Sequence, residues 1–527
     1  MAESPAPPQD GRRWWVLAGA CGGLMVLMLD STVVNLALPA LRQDLDASST
    51  QLQWIPNAYL LVIAALVVTA GRIGDIVGRR RAFLGGLLLF GGGSALGGFA
   101  QSADAVIAAR AVMGAGAAFI LPLSMTLVTD AFPGEERGRA MGIWAAVSSL
   151  ALAIGPIAGG SLAEIDWRLI FWINLPPVVF GFLVTRWAAP ETRDETSGRS
   201  IDWPGFALLT VGLAAVTIGF AQAEAWGWTS TATLGTVAAG LLTLVAFWHV
   251  EHRVRNPIVE FDLFRNKPYF GASAAAFALV GAYWVVMFFE PQYLQDVLGY
   301  SPALAGVLIL PITLPMVFVS PIADTFVRVL GIRVLMGTGM ILGVIGLFVM
   351  GRIDGDTSYG VLFAGYLIFG VALGFVYAPM QTAAMAAMPA AKAGIASGVL
   401  AMNRILSGAL ALAITASVFH TALRSRIQED VTAADLSKSD AHEVEGLANG
   451  TASAQAELAS QPPRVAEQIS SVVDDAFAHA LSTTLWIPIA LAFVGTILTW
   501  VYVRSPDDDP PPPKLPEHDH HKGRFHL

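Results

Sequence analysis

Fourteen apolar segments of about bilayer-spanning length follow one another along this chain, and they constrain its fold more than any other feature. They lie near 14–38, 54–71, 83–100, 105–129, 139–163, 169–188, 204–223, 231–250, 268–293, 303–323, 333–351, 359–380, 396–420 and 482–503. About 20 helical residues at about 1.5 Å each cover the hydrocarbon core. Inside lipid, backbone polar groups must bond within their own segment, which requires helix. The expected fold is therefore an all-α membrane protein with 14 transmembrane helices. A composition of 55% hydrophobic and 13% charged residues over 527 positions excludes a string of soluble domains.

Loop charges orient these helices. With the N-terminus placed in the cytoplasm, most of the 31 Lys and Arg fall on the inner side, among them Arg12, Arg13, Arg79, Arg80, Arg81 and Lys267. The short outer loops hold only Arg42, Arg168 and Arg352. That bias predicts a multi-pass protein of the cell membrane with both termini cytoplasmic. Arg12 and Arg13 ahead of an apolar run look like a secretory signal, but the run is too long and carries an Asp, so it is read as a retained span. The single cysteine, Cys21, supports neither a disulfide nor a cysteine-based metal site within one chain. The formal charge of −9 sits mainly in ends and loops and points to no nucleic-acid partner.

The expected organisation is a cytoplasmic N-terminus over 1–13, a bundle over 14–188 and a linker over 189–267 that inserts the pair 204–223 and 231–250. A second bundle covers 268–503 and includes a long outer loop at 421–481. Within that loop Val465, Ile469, Val472 and Ala476 recur at helical spacing, predicting a helix resting on the outer face or a lid over it. A partner outside the membrane could dock on the same loop. The tail 504–527 is Pro-rich and charged and is expected to be disordered.

Ionisable residues inside spans are costly and mostly functional. Asp30 lies in the first span beside Ser31, Thr32 and Asn35, about one turn beyond its centre; Arg110 lies at similar depth in the fourth. They are expected to pair, either as a static tie or, as favoured here, as a switch that protonation of Asp30 opens. Tyr283, Met287 and Glu290 fall near one face of the ninth span. That group either holds a lipophilic cation beside aromatic rings or faces outer water. Arg404, next to Asn403 in the thirteenth span, is a third buried polar point. Asn35, Tyr283, Met287, Glu290 and Arg404 are the expected lining of a cargo cavity.

Two loops repeat weakly. GRIGDIVGRRR at 71–81 reads as a cytoplasmic turn in which Gly71, Gly74 and Gly78 permit tight backbone; SPIADTFVRVLGIR at 320–333 places Asp324 where the first copy has Asp75. The repeat implies two parallel six-span halves. In the fifth span Gly155 and Gly159, and Pro156 and Gly160, recur every four residues. Such small-residue faces let helices approach closely.

On these residues the chain resembles the major facilitator superfamily and, within it, the fourteen-span drug:proton antiporters (EmrB/QacA group). LDSTVVNLALP at 29–39 is similar to that group's first-span signature, and 71–81 to the superfamily's loop between spans 2 and 3. RAVMGAGAA at 110–118, GPIAGG at 155–160 and DWRLIFWINLPP at 166–177 resemble its fourth-span, antiporter and span 5–6 motifs. The resemblance implies two six-helix bundles plus an inserted hairpin, with small molecules exported against protons. It also implies a latch between the halves at Gly71, Asp75, Gly78, Arg79 and Asp324, and a hinge at Gly155, Pro156, Gly159 and Gly160. No cofactor is expected; the proton gradient is the energy source.

The leading expectation is multidrug efflux of small hydrophobic or cationic compounds by alternating access. An exporter of one endogenous metabolite, lipid precursor or siderophore on the same fold is the alternative. A primary pump is disfavoured by the lack of a GxxxxGK[ST] loop, and an enzyme by the lack of a cluster of His, Cys or acids in the spans. A non-transporting receptor or scaffold has no use for Asp30 and Arg110 together.

Overall fold

The computed structural model describes residues 10–132, 136–193, 202–254, 257–353, 357–388, 393–433 and 463–503. The tail 504–527 and the middle of the expected outer loop lie outside the described residues.

The first group of helices is α1 (Asp10–Leu45), α2 (Ser49–Val77), α3 (Arg79–Gly98), α4 (Ala103–Ala131), α5 (Glu136–Ile165), α6 (Leu169–Trp172) and α7 (Leu175–Ala188). After these come α8 (Trp203–Ala221), the short α9 (Ala223–Trp226) and α10 (Thr231–Glu251). The second group is α11 (Lys267–Gln292), α12 (Pro302–Leu308), α13 (Leu310–Leu330), α14 (Ile332–Met350), α15 (Tyr359–Ala386), α16 (Ala393–Ala433) and α17 (Pro463–Tyr502). A π-helical turn, Tyr293–Val297, prolongs α11. Helix starts follow from local chemistry. Ser48 and Gln51 form a reciprocal capping box on α2, and Ser102, Asn266 and Ser301 accept the free backbone N–H groups of α4, α11 and α12.

Among the described residues, thirteen helical segments are long and apolar enough to cross a membrane. α3 completes the expected fourteen by its place in the order; its leading arginines and its glycines dilute its apolar character, yet it packs along α4 and α7. α6 with α7, and α12 with α13, each make one span. In the first bundle α2 and α3 lie on α4, while α1 lies on α5 and α7. In the second, α13 and α14 lie on α15, and α11 lies on α16 and α17. The hairpin α8–α10 stands beside the junction, with α8 against both α2 and α16. The halves meet along α2–α16, α5–α12–α13 and α1–α11. Large apolar side chains such as Leu88, Leu183, Leu242, Phe318 and Phe493 point outward from the bundles, as a lipid-facing surface requires.

Two expectations are corrected. The segment 71–81 is not a turn: α2 runs to Val77, so Gly71 and Gly74 are helical and only Gly78 breaks the chain, at φ +126°. A side chain at that φ is strained, so glycine is required there. The helix predicted at 465–476 does not rest separately on an outer face. It is the start of α17, continuous with the last span, because nothing between Ala476 and Leu485 breaks it. α16 likewise continues to Ala433, so both helices project past the expected loop boundaries of 421 and 481.

Candidate functional site

Asp30 and Arg110 meet. The guanidinium Nη1 lies 2.5 Å from Asp30 Oδ2, with both side chains almost wholly buried. α1 and α4 cross here, at the depth that their rise per residue sets. Each charge has further support. Arg110 Nε donates to the Ile55 carbonyl (3.3 Å), and the guanidinium lies 4.1 Å from the centre of the Tyr59 ring. Asp30 Oδ1 accepts from Asn174 Nδ2 (3.1 Å), which also reaches Ser94 Oγ (3.1 Å); Ser94 in turn donates to the Phe171 carbonyl (2.7 Å). A buried ion pair is tolerable only when its remaining hydrogen-bonding sites are filled, and α2, α3 and the α6–α7 junction fill these.

The same arrangement explains why the segment 166–177 is built as it is. Trp167 Nε1 (2.8 Å) and Arg168 Nη1 (2.9 Å) both donate to Asp44 at the far end of α1, which ties the α5–α6 connection to that helix. Asn174 then sits at the break between α6 and α7, pointing at Asp30. Asn174, Ser94 and Tyr59 were not among the expected site residues.

A central cavity lies beside this network, between the halves. It encloses about 90 Å³, room for a few waters and not for a drug-sized molecule. Its walls include Ser31 and Tyr59 from the first half and Tyr283, Trp284, Tyr377 and Arg404 from the second. Tyr283 and Arg404 are thus lining residues, as expected. Asn35, Met287 and Glu290 are not: they lie one or two turns further along α1 and α11, where the two bundles have closed on each other. Glu290 is fully buried and accepts a hydrogen bond from Tyr366 (2.6 Å), so it faces neither the cavity nor bulk water. Its other oxygen has no partner among the described residues.

The end of the molecule opposite Asp10, here the distal end, is where the halves are tied. Arg42 on α1 contacts Asp296 (3.2 Å) and Gln292 (2.9 Å) across the junction, and Gln295 donates to the Leu36 carbonyl (3.2 Å). The fifth-span glycines divide between two partners. A Cβ added to Gly159 would lie 2.7 Å from the Val33 carbonyl oxygen, and one on Gly155 would run into Thr32, both on α1 within the same half. One on Gly160 would run into the Pro302 carbonyl in the other half, where Pro156 faces Gly306. α5 therefore presents one small-residue face inward and one across the junction.

At the proximal end Arg79 binds Asp75 (2.9 Å) and holds Asp130 through Nη1 (2.7 and 2.8 Å); Thr192 Oγ1 also donates to Asp130 (2.7 Å). Burial pulls the Arg79 guanidinium down, but hydrogen bonds and charge from Asp130 and Asp75 more than offset this and raise it above its ordinary value. Asp75, Arg79 and Asp130 belong to the first half, and Thr192 to the linker that follows it. Gly78 sits against Glu191, and Gly71 has ordinary space around it. Asp324 lies on α13, and its side chain is outside the described residues.

The model of the Major Facilitator Superfamily matches residues 20–412. The chain is 29% identical over 527 residues to the tetracenomycin C resistance and export protein of Streptomyces glaucescens, covering 98% of this chain and 96% of that one. It is 34% identical to the puromycin resistance protein of Streptomyces alboniger (84% and 87% covered) and 36% identical to the cephamycin export protein of Amycolatopsis lactamdurans (76% and 83%). In fold it is similar to a bacterial homolog of the human lysosomal transporter Spinster in an inward-facing, unoccupied conformation, with TM-score 0.63 at 15% identity over 94% of this chain and 100% of that one. This chain belongs to the Major Facilitator Superfamily.

Proposed function

We propose that this protein is a proton-driven exporter of small, largely apolar molecules, working by alternating access of its two halves around the central cavity. The observation that carries this reading is the position of Tyr59. Its ring contacts the Arg110 guanidinium that holds Asp30, and the same residue forms a wall of the cavity. Protonating Asp30 removes the charge that anchors Arg110, and Arg110 and Tyr59 then rearrange together. Cargo pressing on Tyr59 acts on the pair from the other side. Proton and cargo are thereby coupled through one residue.

In this account the distal end is the outer face of the cell membrane, and both termini are cytoplasmic. The ties at Arg42 and the packing of Gly160 on Pro302 close the outer path while the cavity communicates inward. Opening outward requires α5 to slide along α12 on its small-residue face, with Pro156 as the bend. The Asp75–Arg79–Asp130 cluster would then engage the other half near Asp324. The chain's relatives include a tetracenomycin C resistance and export protein, a puromycin resistance protein and a cephamycin export protein, and cargo of that kind needs a cavity that widens as the halves part.

The test is flux of a compound panel into proteoliposomes holding the full chain under an imposed pH gradient. Accumulation that collapses with a protonophore is expected. If no compound moves with the gradient, or if movement ignores the protonophore, the reading is wrong.

A further inference from the structure

We infer that the cavity, once widened as the halves part, selects aromatic molecules carrying a negative charge, such as an ionised carboxyl or a phenolate. This deepens the cargo site just proposed and rests on it.

Three observations converge. First, Arg404 reaches the cavity from α16 with its guanidinium 5.1 Å from the Tyr377 ring centre, and among the described residues it has neither a carboxylate nor a hydrogen-bond acceptor for its side chain. Arg110 shows what a resident arginine needs at this depth: a carboxylate, a carbonyl and a ring. Arg404 has only the ring. A guanidinium so placed offers a planar pair of donors to a carboxylate or phenolate.

Second, the phenol hydroxyls of Tyr59 and Tyr283 are buried and unpartnered among the described residues, and both residues line the cavity, one from each half. A buried hydroxyl without a partner costs free energy that an incoming oxygen acceptor would recover. Two phenols and one guanidinium make a set of donors.

Third, among the described residues no Asp or Glu lines the cavity. Asp30 is taken up by Arg110 and Asn174, and Glu290 lies two turns away against Tyr366. A lipophilic cation would meet aromatic faces there, but no counter-ion, and Arg404 would repel it. The remaining walls, including Leu60, Ile63 and Trp284, suit the rings of the cargo.

Equilibrium dialysis on the detergent-purified full chain tests this with three probes of one shape: anthraquinone-2-carboxylate, its methyl ester, and a trimethylammonium-methyl anthraquinone. The carboxylate is expected to bind at least tenfold more tightly than the cation. Arg404→Gln should cost the carboxylate tenfold or more and the ester under threefold, with Arg404→Lys recovering part of the loss. Tyr59→Phe and Tyr283→Phe should each cost the carboxylate and the ester a few-fold. Equal or tighter binding of the cation, or carboxylate binding indifferent to Arg404→Gln, overturns the inference. Should Arg404→Gln not fold, Arg404→Lys and the three-probe ranking on the unmutated protein still decide. Flux of the same probes separates the two claims. If the carboxylate binds through Arg404 but nothing moves with the pH gradient, the anion site stands and the export reading fails. If the cation moves and the carboxylate neither binds nor moves, the export reading stands and the selectivity inference fails.

Discussion

Tyr59 stands between Arg110 and the central cavity: its ring centre is 4.1 Å from the guanidinium, and the same side chain walls the space where cargo would sit. The charge pair on one side, Asp30 with Arg110, is buried; the cavity on the other side is lined by residues of both halves.

Removing that ring should uncouple the two. Tyr59→Leu keeps bulk but deletes the contact with Arg110, worth about 2 kcal/mol when desolvated. The expected outcome is cargo binding within a few-fold of the unmutated protein and a proton-to-cargo flux ratio that becomes variable. Simultaneous measurement of proton and cargo movement checks it; an unchanged ratio contradicts it.

Asn174 is expected to be a structural member of the site. Asn174→Ala leaves Asp30 Oδ1 and Ser94 Oγ without their shared donor, at a cost of about 1–3 kcal/mol. Thermal unfolding of the detergent-solubilised protein should show the loss. Asn174→Ala combined with Asp30→Asn should cost less than the two changes added together, because the acceptor is already altered.

Closure of the outer path is expected to depend on Arg42 and Gly160. In a Cys21→Ala background, a cysteine placed at Asn35 reports outward opening, since Asn35 is buried one turn distal to the cavity. Arg42→Ala and Gly160→Ala should each raise its labelling rate by an impermeant maleimide several-fold. Gly159→Ala, whose Cβ would strike α1 within its own half, should instead lower stability, by about 1–3 kcal/mol, without raising labelling. Equal effects of the two glycine changes would refute the division of α5 into two faces.

The proximal cluster should not act as a pH switch through Arg79. Its guanidinium is raised above an ordinary value that already lies beyond any transport assay. The stability it contributes is therefore fully present below that range and is lost only as pH climbs through the raised value. Arg79→Lys, which cannot hold Asp75 and Asp130 with a planar fork, is expected to reduce transport about as much as Arg79→Gln, and a full rescue by lysine would contradict this.

The central pair was legible in the sequence because depth is arithmetic: residue rise and helix direction bring Asp30 and Arg110 level. Asn174 was not, since it sits uncharged in the run LIFWINLPP and its partner Asp30 is 144 positions away. A lone amide in an apolar segment just before two prolines was the available signal. Glu290 shows the opposite failure. Periodicity puts it on the face of Tyr283, but only the packed halves show that this face is already closed two turns further out. The spacing of Val465, Ile469, Val472 and Ala476 identified a helix, while its merger with the last span depended on the absence of a breaker, which periodicity does not weigh.

The most direct test of coupling is gradient-driven flux through Asp30→Asn in proteoliposomes, beside cargo binding by the same preparation. Binding is expected to be retained within a few-fold and flux to fall at least tenfold, because the substituted amide cannot exchange a proton. Gradient-driven flux equal to that of the unmutated protein would contradict it.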